Sequence, residues 1–166
     1  MRPLLLLLLA ALAAPALAQP VPTGGARAAV RTADVVDWRV QGDRVRPGGE
    51  ARVVLTATIA PGWRLYALDS PVGRPFRLAL DRLPVGVAAG ALRQSAPEEG
   101  FDEGFGEEYT YFAGEARFVQ PLRVGNAAAP GARTVTGTAH YAVCDDRVCL
   151  PPARTSFRVS VVVEGR

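Results

Sequence analysis

Apolar residues recur at every second position along three long runs of this sequence. In 51–59, Val53, Leu55, Ala57 and Ile59 share one parity, while Arg52, Thr56 and Thr58 share the other. In 134–143, Val135, Ala139, Tyr141 and Val143 alternate with Thr134, Thr136, Thr138 and His140. Near the end, Phe157, Val159, Val161 and Val163 alternate with Ser156, Arg158 and Ser160. Successive side chains on a strand point to opposite faces, so each run presents one face to a core and one to solvent. Pro47-Gly48-Gly49, Pro61-Gly62 and Pro130-Gly131 punctuate these runs as turns. Further strands are expected at Val30–Val40, Phe76–Leu80, Glu107–Phe112 and Ala116–Val124, and no stretch beyond the leader carries a helical stripe. Many short strands in one domain predict an all-β, immunoglobulin-like antiparallel β-sandwich.

The first residues read as a secretory signal covering 1–18. Arg2 supplies the positive start, Leu4 to Leu12 the apolar run, and Ala16-Leu17-Ala18 a small-x-small cleavage site. The run is too short, and too soon followed by Pro15, to span a bilayer well. Residues 19–29 are rich in Pro, Gly and Ala and read as a flexible tether, leaving 30–166 as the folded domain. The mature chain is thus expected to be soluble, without a membrane span, in an oxidising compartment. The formal charge is only +3, and all 19 basic residues are arginines scattered along the chain. A nucleic-acid surface needs clustered positive charge, so no nucleic-acid partner is expected.

Cys144 and Cys149 are the only two cysteines, with four residues between them. A disulfide there closes so small a loop that chain entropy gives it only about 2 kcal/mol, against roughly 4–5 kcal/mol for a staple across a whole domain. Such spacing contributes little to stability but suits a bond that opens and closes. The intervening Asp145 and Asp146 favour the neutral thiol, whereas Arg147 favours the thiolate. The runs 134–143 and 154–163 are natural hairpin partners, which places Cys144 to Pro152 at or near the hairpin end, where loops commonly carry function. Pro151-Pro152 stiffens the exit and removes two backbone donors. His140 is the single histidine; with the cysteines and an aspartate it would make a sparse metal set, but its strand parity turns it to solvent. No metal and no cofactor is expected.

The segment Tyr141-Ala142-Val143-Cys144-Asp145-Asp146-Arg147-Val148-Cys149-Leu150-Pro151-Pro152 resembles the active-site hairpin of the amino-terminal periplasmic domain of DsbD-type thiol:disulfide interchange proteins. Pro61-Gly62-Trp63-Arg64-Leu65-Tyr66 is similar to that domain's Gly-aromatic-x-Leu-Tyr strand, and Asp102-Glu103-Gly104-Phe105-Gly106 to its acidic, aromatic cap loop. The resemblance spans roughly Val30 to Val163. It implies an immunoglobulin-like periplasmic domain that receives electrons from a thioredoxin-like donor, or from a membrane protein of DsbD or CcdA type, and reduces disulfides of periplasmic acceptor proteins. It also implies roles. Cys149 forms mixed disulfides with partners, Cys144 resolves them, Trp63 and Tyr66 line the site, and Phe105 lies over the pair as a lid. Some members have five residues between the cysteines, and Gly104 stands where others carry the first aromatic of the cap. Full-length members continue into a membrane domain and a thioredoxin-like domain, so a reductase ending at Arg166 would draw electrons from a separate protein.

A second reading is a non-catalytic immunoglobulin-like binding domain with a static disulfide. The reduction potential separates the two, since structural disulfides lie below about −300 mV. The lid has its own test. Phe105→Ala is expected to speed alkylation of the reduced cysteines while the thermal melt is little changed; equal rates in variant and wild type would remove Phe105 as the shield.

Overall fold

The computed structural model describes residues 29–103 and 106–165. The expected signal, and all of the expected tether except Ala29, lie outside the described residues. The described chain opens on a helical turn, α1 (Thr32–Val35), followed by β1 (Val36–Gly42), β2 (Arg44–Val45), β3 (Glu50–Ile59) and β4 (Arg64–Tyr66). The middle supplies β5 (Arg77–Leu80), β6 (Val87–Ala89), β7 (Arg93–Gln94), β8 (Glu98–Asp102) and β9 (Glu107–Phe112). The last part supplies β10 (Glu115–Val124), β11 (Gly131–Tyr141), β12 (Val143–Cys144) and β13 (Ala153–Val163).

Three sheets result. The first runs β1-β3-β10, with the short β6 and β7 both paired to β10; the second runs β2-β13-β11-β5; the third, β12-β4-β9-β8, carries the cysteines. All pairings are antiparallel except β2 with β13. This is the expected all-β, immunoglobulin-like architecture. Its core is made by the alternation already visible in sequence. Val53, Leu55, Ala57 and Ile59 of β3 are buried, as are Val135, Ala139 and Tyr141 of β11 and Val161 and Val163 of β13. Aromatic rings join the two large sheets. Trp38 of β1 lies 5.2 Å from Tyr141 of β11 and 6.1 Å from Phe118 of β10, while Phe76 stacks on Phe118 at 3.7 Å. Such pairs add about 0.5–1.5 kcal/mol each beyond the area they bury.

The expected strand at Val30–Val40 is corrected at its start, where Thr32–Val35 forms a helical turn. Local polar groups explain it. The Asp34 carboxylate accepts from the Arg31 backbone N–H at 3.0 Å and from its guanidinium at 2.9 Å, closing the turn from both ends. Thr32 is buried, and its hydroxyl donates to the Pro151 carbonyl at 2.6 Å. The turn is thereby anchored to the stiff exit beyond Cys149.

The hairpin expected from sequence forms, with β11 and β13 in register from Gly131↔Val163 to Tyr141↔Ala153. Beyond Tyr141 the chain passes through Ala142 into β12, leaving the second sheet for the third. None of the rows that fill the core depends on the Cys144–Cys149 bond. Reducing it is expected to cost at most about 2 kcal/mol and to leave the domain folded. Far-UV circular dichroism melts with and without reductant check this, and unfolding of the reduced form at room temperature would mark the bond as structural.

Candidate redox site

The site is built where β12 pairs with β4, with Cys144 opposite Arg64 and Val143 opposite Leu65. Leu65 and Val143 are fully buried and fix that register. Cys144 and Cys149 form a disulfide with their Cα atoms 4.0 Å apart. Cys149 is exposed and Cys144 half-buried. Short bonds shape the loop between them. The Asp145 side chain accepts from the backbone N–H of Arg147 at 2.8 Å and of Val148 at 2.7 Å, and Leu150 N–H reaches Val143 O at 3.0 Å. The two N–H groups from Arg147 and Val148 also hold the Asp145 carboxyl below its ordinary range. Asp146 instead meets the Arg64 guanidinium at 2.6 Å, and that guanidinium lies 5.3 Å from the Tyr111 ring centre.

Tyr66 places a hydroxyl against the sulfurs, 3.2 Å from Cys144 Sγ and 3.9 Å from Cys149 Sγ. Disulfide sulfurs carry no hydrogen, so the phenol is the donor. Burial pushes the Tyr66 phenol above its ordinary value, with the negative charge of Asp102 and the neighbouring Tyr109 adding to it. It therefore stays an O–H donor at neutral pH, able to solvate a thiolate on Cys144 once the disulfide opens. Glycine makes room for its ring. Gly73 has φ +75°, and a Cβ there would collide with the Tyr66 ring. On the other side, Tyr109 packs 5.9 Å from Tyr66 between ring centres.

Arg64, Tyr66, Asp102, Tyr109 and the cysteine loop enclose a cleft of about 210 Å³. The structure thus gathers Tyr66, Asp145 and Asp146 around Cys144 and Cys149. Trp63 is half-buried, packs against the hydrophobic core and does not line this cleft. Phe105 lies outside the described residues. Arg64 and Asp102 stood inside the sequence segments read as motifs without being assigned to the site. Tyr109 was missed; the available signal was the Tyr109-x-Tyr111 pair, two aromatics of one parity on an acidic strand. His140 is exposed on β11, and among the described residues no group of three or more His, Cys, Asp or Glu is placed to hold a metal. No helix among them is long and apolar enough to cross a membrane.

Residues 36–161 match the family described as thiol:disulfide interchange protein DsbD, N-terminal. No curated protein matches the sequence. Among solved structures, the fold is similar to the N-terminal periplasmic domain of ScsB from Proteus mirabilis, with a TM-score of 0.52 and 17% identity. That match covers 76% of this chain and 46% of the ScsB chain, so this chain spans about half of that protein's length. The DsbD n-terminal domain of Neisseria meningitidis in the reduced form matches with a TM-score of 0.48 and 23% identity, covering 75% of this chain and 90% of that one.

Proposed function

The chain belongs to the family of DsbD amino-terminal domains, and from that membership we propose that it is a periplasmic thiol–disulfide exchange module that carries electrons to partner disulfides through Cys144 and Cys149. The observation that supports this most is the asymmetry of the pair. Cys149 is exposed to an incoming partner, whereas Cys144 is half-buried beneath the Tyr66 hydroxyl. In the reduced state the Cys149 thiolate attacks a partner disulfide. One Cys149–partner S–S bond forms, the partner's own S–S bond breaks, and the departing partner sulfur takes a proton. The Cys144 thiolate then attacks the Cys149 sulfur, restores the internal disulfide and releases the second partner thiol. Two electrons and two protons have passed to the partner. A thioredoxin-like protein or a membrane protein of the DsbD or CcdA type returns the chain to the dithiol by the same steps in reverse.

Tyr66 lowers the cost of charge on Cys144 during the second attack. Hydrogen bonds to charged groups contribute about 1.5–3 kcal/mol, and a stabilised thiolate loses part of its nucleophilicity, so Tyr66→Phe is expected to slow resolution by roughly 4- to 15-fold. Stopped-flow measurement of mixed-disulfide decay reads this directly, and an unchanged rate would leave Tyr66 as packing only. The reading as a whole is tested by equilibrating the pair against thiol–disulfide buffers. A potential in the range of exchange proteins is expected, whereas one below about −300 mV would assign the bond a static role.

A further inference from the structure

A second concavity lies beside the redox hairpin, on the outer side of the second sheet. It measures about 1010 Å³, with Phe76, Leu78 and Tyr141 among its apolar lining. Its charged rim is all of one sign. Arg154 of β13 is the register partner of His140 of β11, and His140 is in turn the partner of Arg77 of β5. The three side chains form a row across adjacent strands, all exposed, and Arg74 joins them from the loop before β5. No Asp or Glu lines the groove. Elsewhere Arg31, Arg52 and Arg64 each meet a carboxylate within 3 Å, but Arg74, Arg77 and Arg154 have no such partner among the described residues. The row therefore offers exposed positive charge with no carboxylate beside it.

Its place on the chain connects it to the disulfide. Tyr141 at the groove leads in two residues to β12, and Pro152 and Ala153 at the groove follow the Cys149 segment. Cys144 lies four positions after His140, at most roughly 13 Å away at the rise of a strand. A protein joined to Cys149 has its neighbouring residues within reach of the groove.

We propose that this groove is a docking surface for an acidic segment of the proteins that exchange disulfides with Cys149. The proposal rests on the exchange reading and adds the partner's chemistry to it. Carboxylates entering the groove meet Arg154, Arg77 and Arg74 and hold the partner's sulfurs at the redox loop. Attraction of this kind raises association rates and fades with salt, because the charges lie at the surface.

The test uses two synthetic peptides with the same disulfide ring, one followed by an Asp/Glu segment and the other by an Asn/Gln segment of equal length. Wild type and Arg77→Gln/Arg154→Gln are compared, with Arg74→Gln as a second variant at a loop position that disturbs no strand. Thermal melts confirm the fold of each. The reduced wild type is expected to exchange faster with the acidic peptide, and the double variant to lose about 2- to 30-fold of that advantage, as two exposed ion pairs allow. The advantage should also shrink with added salt, while the rate with hydroxyethyl disulfide stays the same in all forms. A separate titration measures binding of a cysteine-free acidic peptide to the oxidised protein by fluorescence anisotropy. Equal binding and equal rates for the two peptides, or an advantage that survives in both variants, would overturn the groove. Charge-dependent binding without exchange by any disulfide would support the groove and overturn the exchange reading instead.

Discussion

Cys144→Ser is expected to accumulate a covalent, reductant-sensitive adduct with thioredoxin-like protein in a periplasmic extract, whereas Cys149→Ser traps far less. Exchange proceeds through a mixed disulfide that a second thiol resolves. Removing the resolving sulfur leaves attack intact and blocks escape, so the intermediate becomes the end product. The geometry supports Cys149 as the attacking sulfur because it is exposed, while Cys144 ends a strand whose neighbour Val143 is fully buried. In Cys149→Ser the remaining thiol sits half-buried under the Tyr66 hydroxyl. Either substitution should abolish full turnover. Non-reducing gels followed by mass spectrometry decide between them. Strong trapping by Cys149→Ser alone would exchange the two roles, and trapping by neither would remove the exchange mechanism.

The largest loss of stability is expected at Phe118→Ala, about 3–5 kcal/mol, as for other buried aromatic truncations. Phe118 is fully buried on β10. It stacks on Phe76 at 3.7 Å, meets Phe112 edge-on at 5.6 Å and faces Trp38 at 6.1 Å. Alanine removes the centre of that cluster, and the surrounding strands are too firmly paired to collapse into the space. For a domain of this size the loss corresponds to a fall in melting temperature of roughly 10–20 °C. Its effect on exchange should be small wherever the variant is folded, because the ring does not line the cleft around the cysteines. A melt within a few degrees of wild type would show that the cluster repacks.

The sequence by itself determined the sandwich. Period-two alternation in 51–59, 134–143 and 156–163 is a local property of strands, and each of these rows turns the parity it displays toward the core, Phe157 and Val159 being only half-buried there. Pairing of 134–143 with 154–163 was also legible, because a short connection between matched alternating runs favours an antiparallel hairpin. The close cysteine spacing limited any disulfide to a small loop and pointed to exchange over stapling. Strands of two or three residues, such as β4, β6 and β12, are too short to show alternation. The turn at Thr32–Val35 was hidden because its cause is a specific bond between Arg31 and Asp34.

Tertiary structure decided what surrounds the sulfurs. Tyr66 stands 78 positions before Cys144, and only the pairing of β4 with β12 brings its hydroxyl to 3.2 Å. Tyr109 reaches the same cleft through β9, and Arg154, His140 and Arg77 become a row only when β13, β11 and β5 align. Alternation tells which face of a strand is buried, but it does not name the neighbouring strand or the register. Those are set by burial summed over the whole core, so contacts between remote polar groups follow from the fold and cannot be read from local pattern.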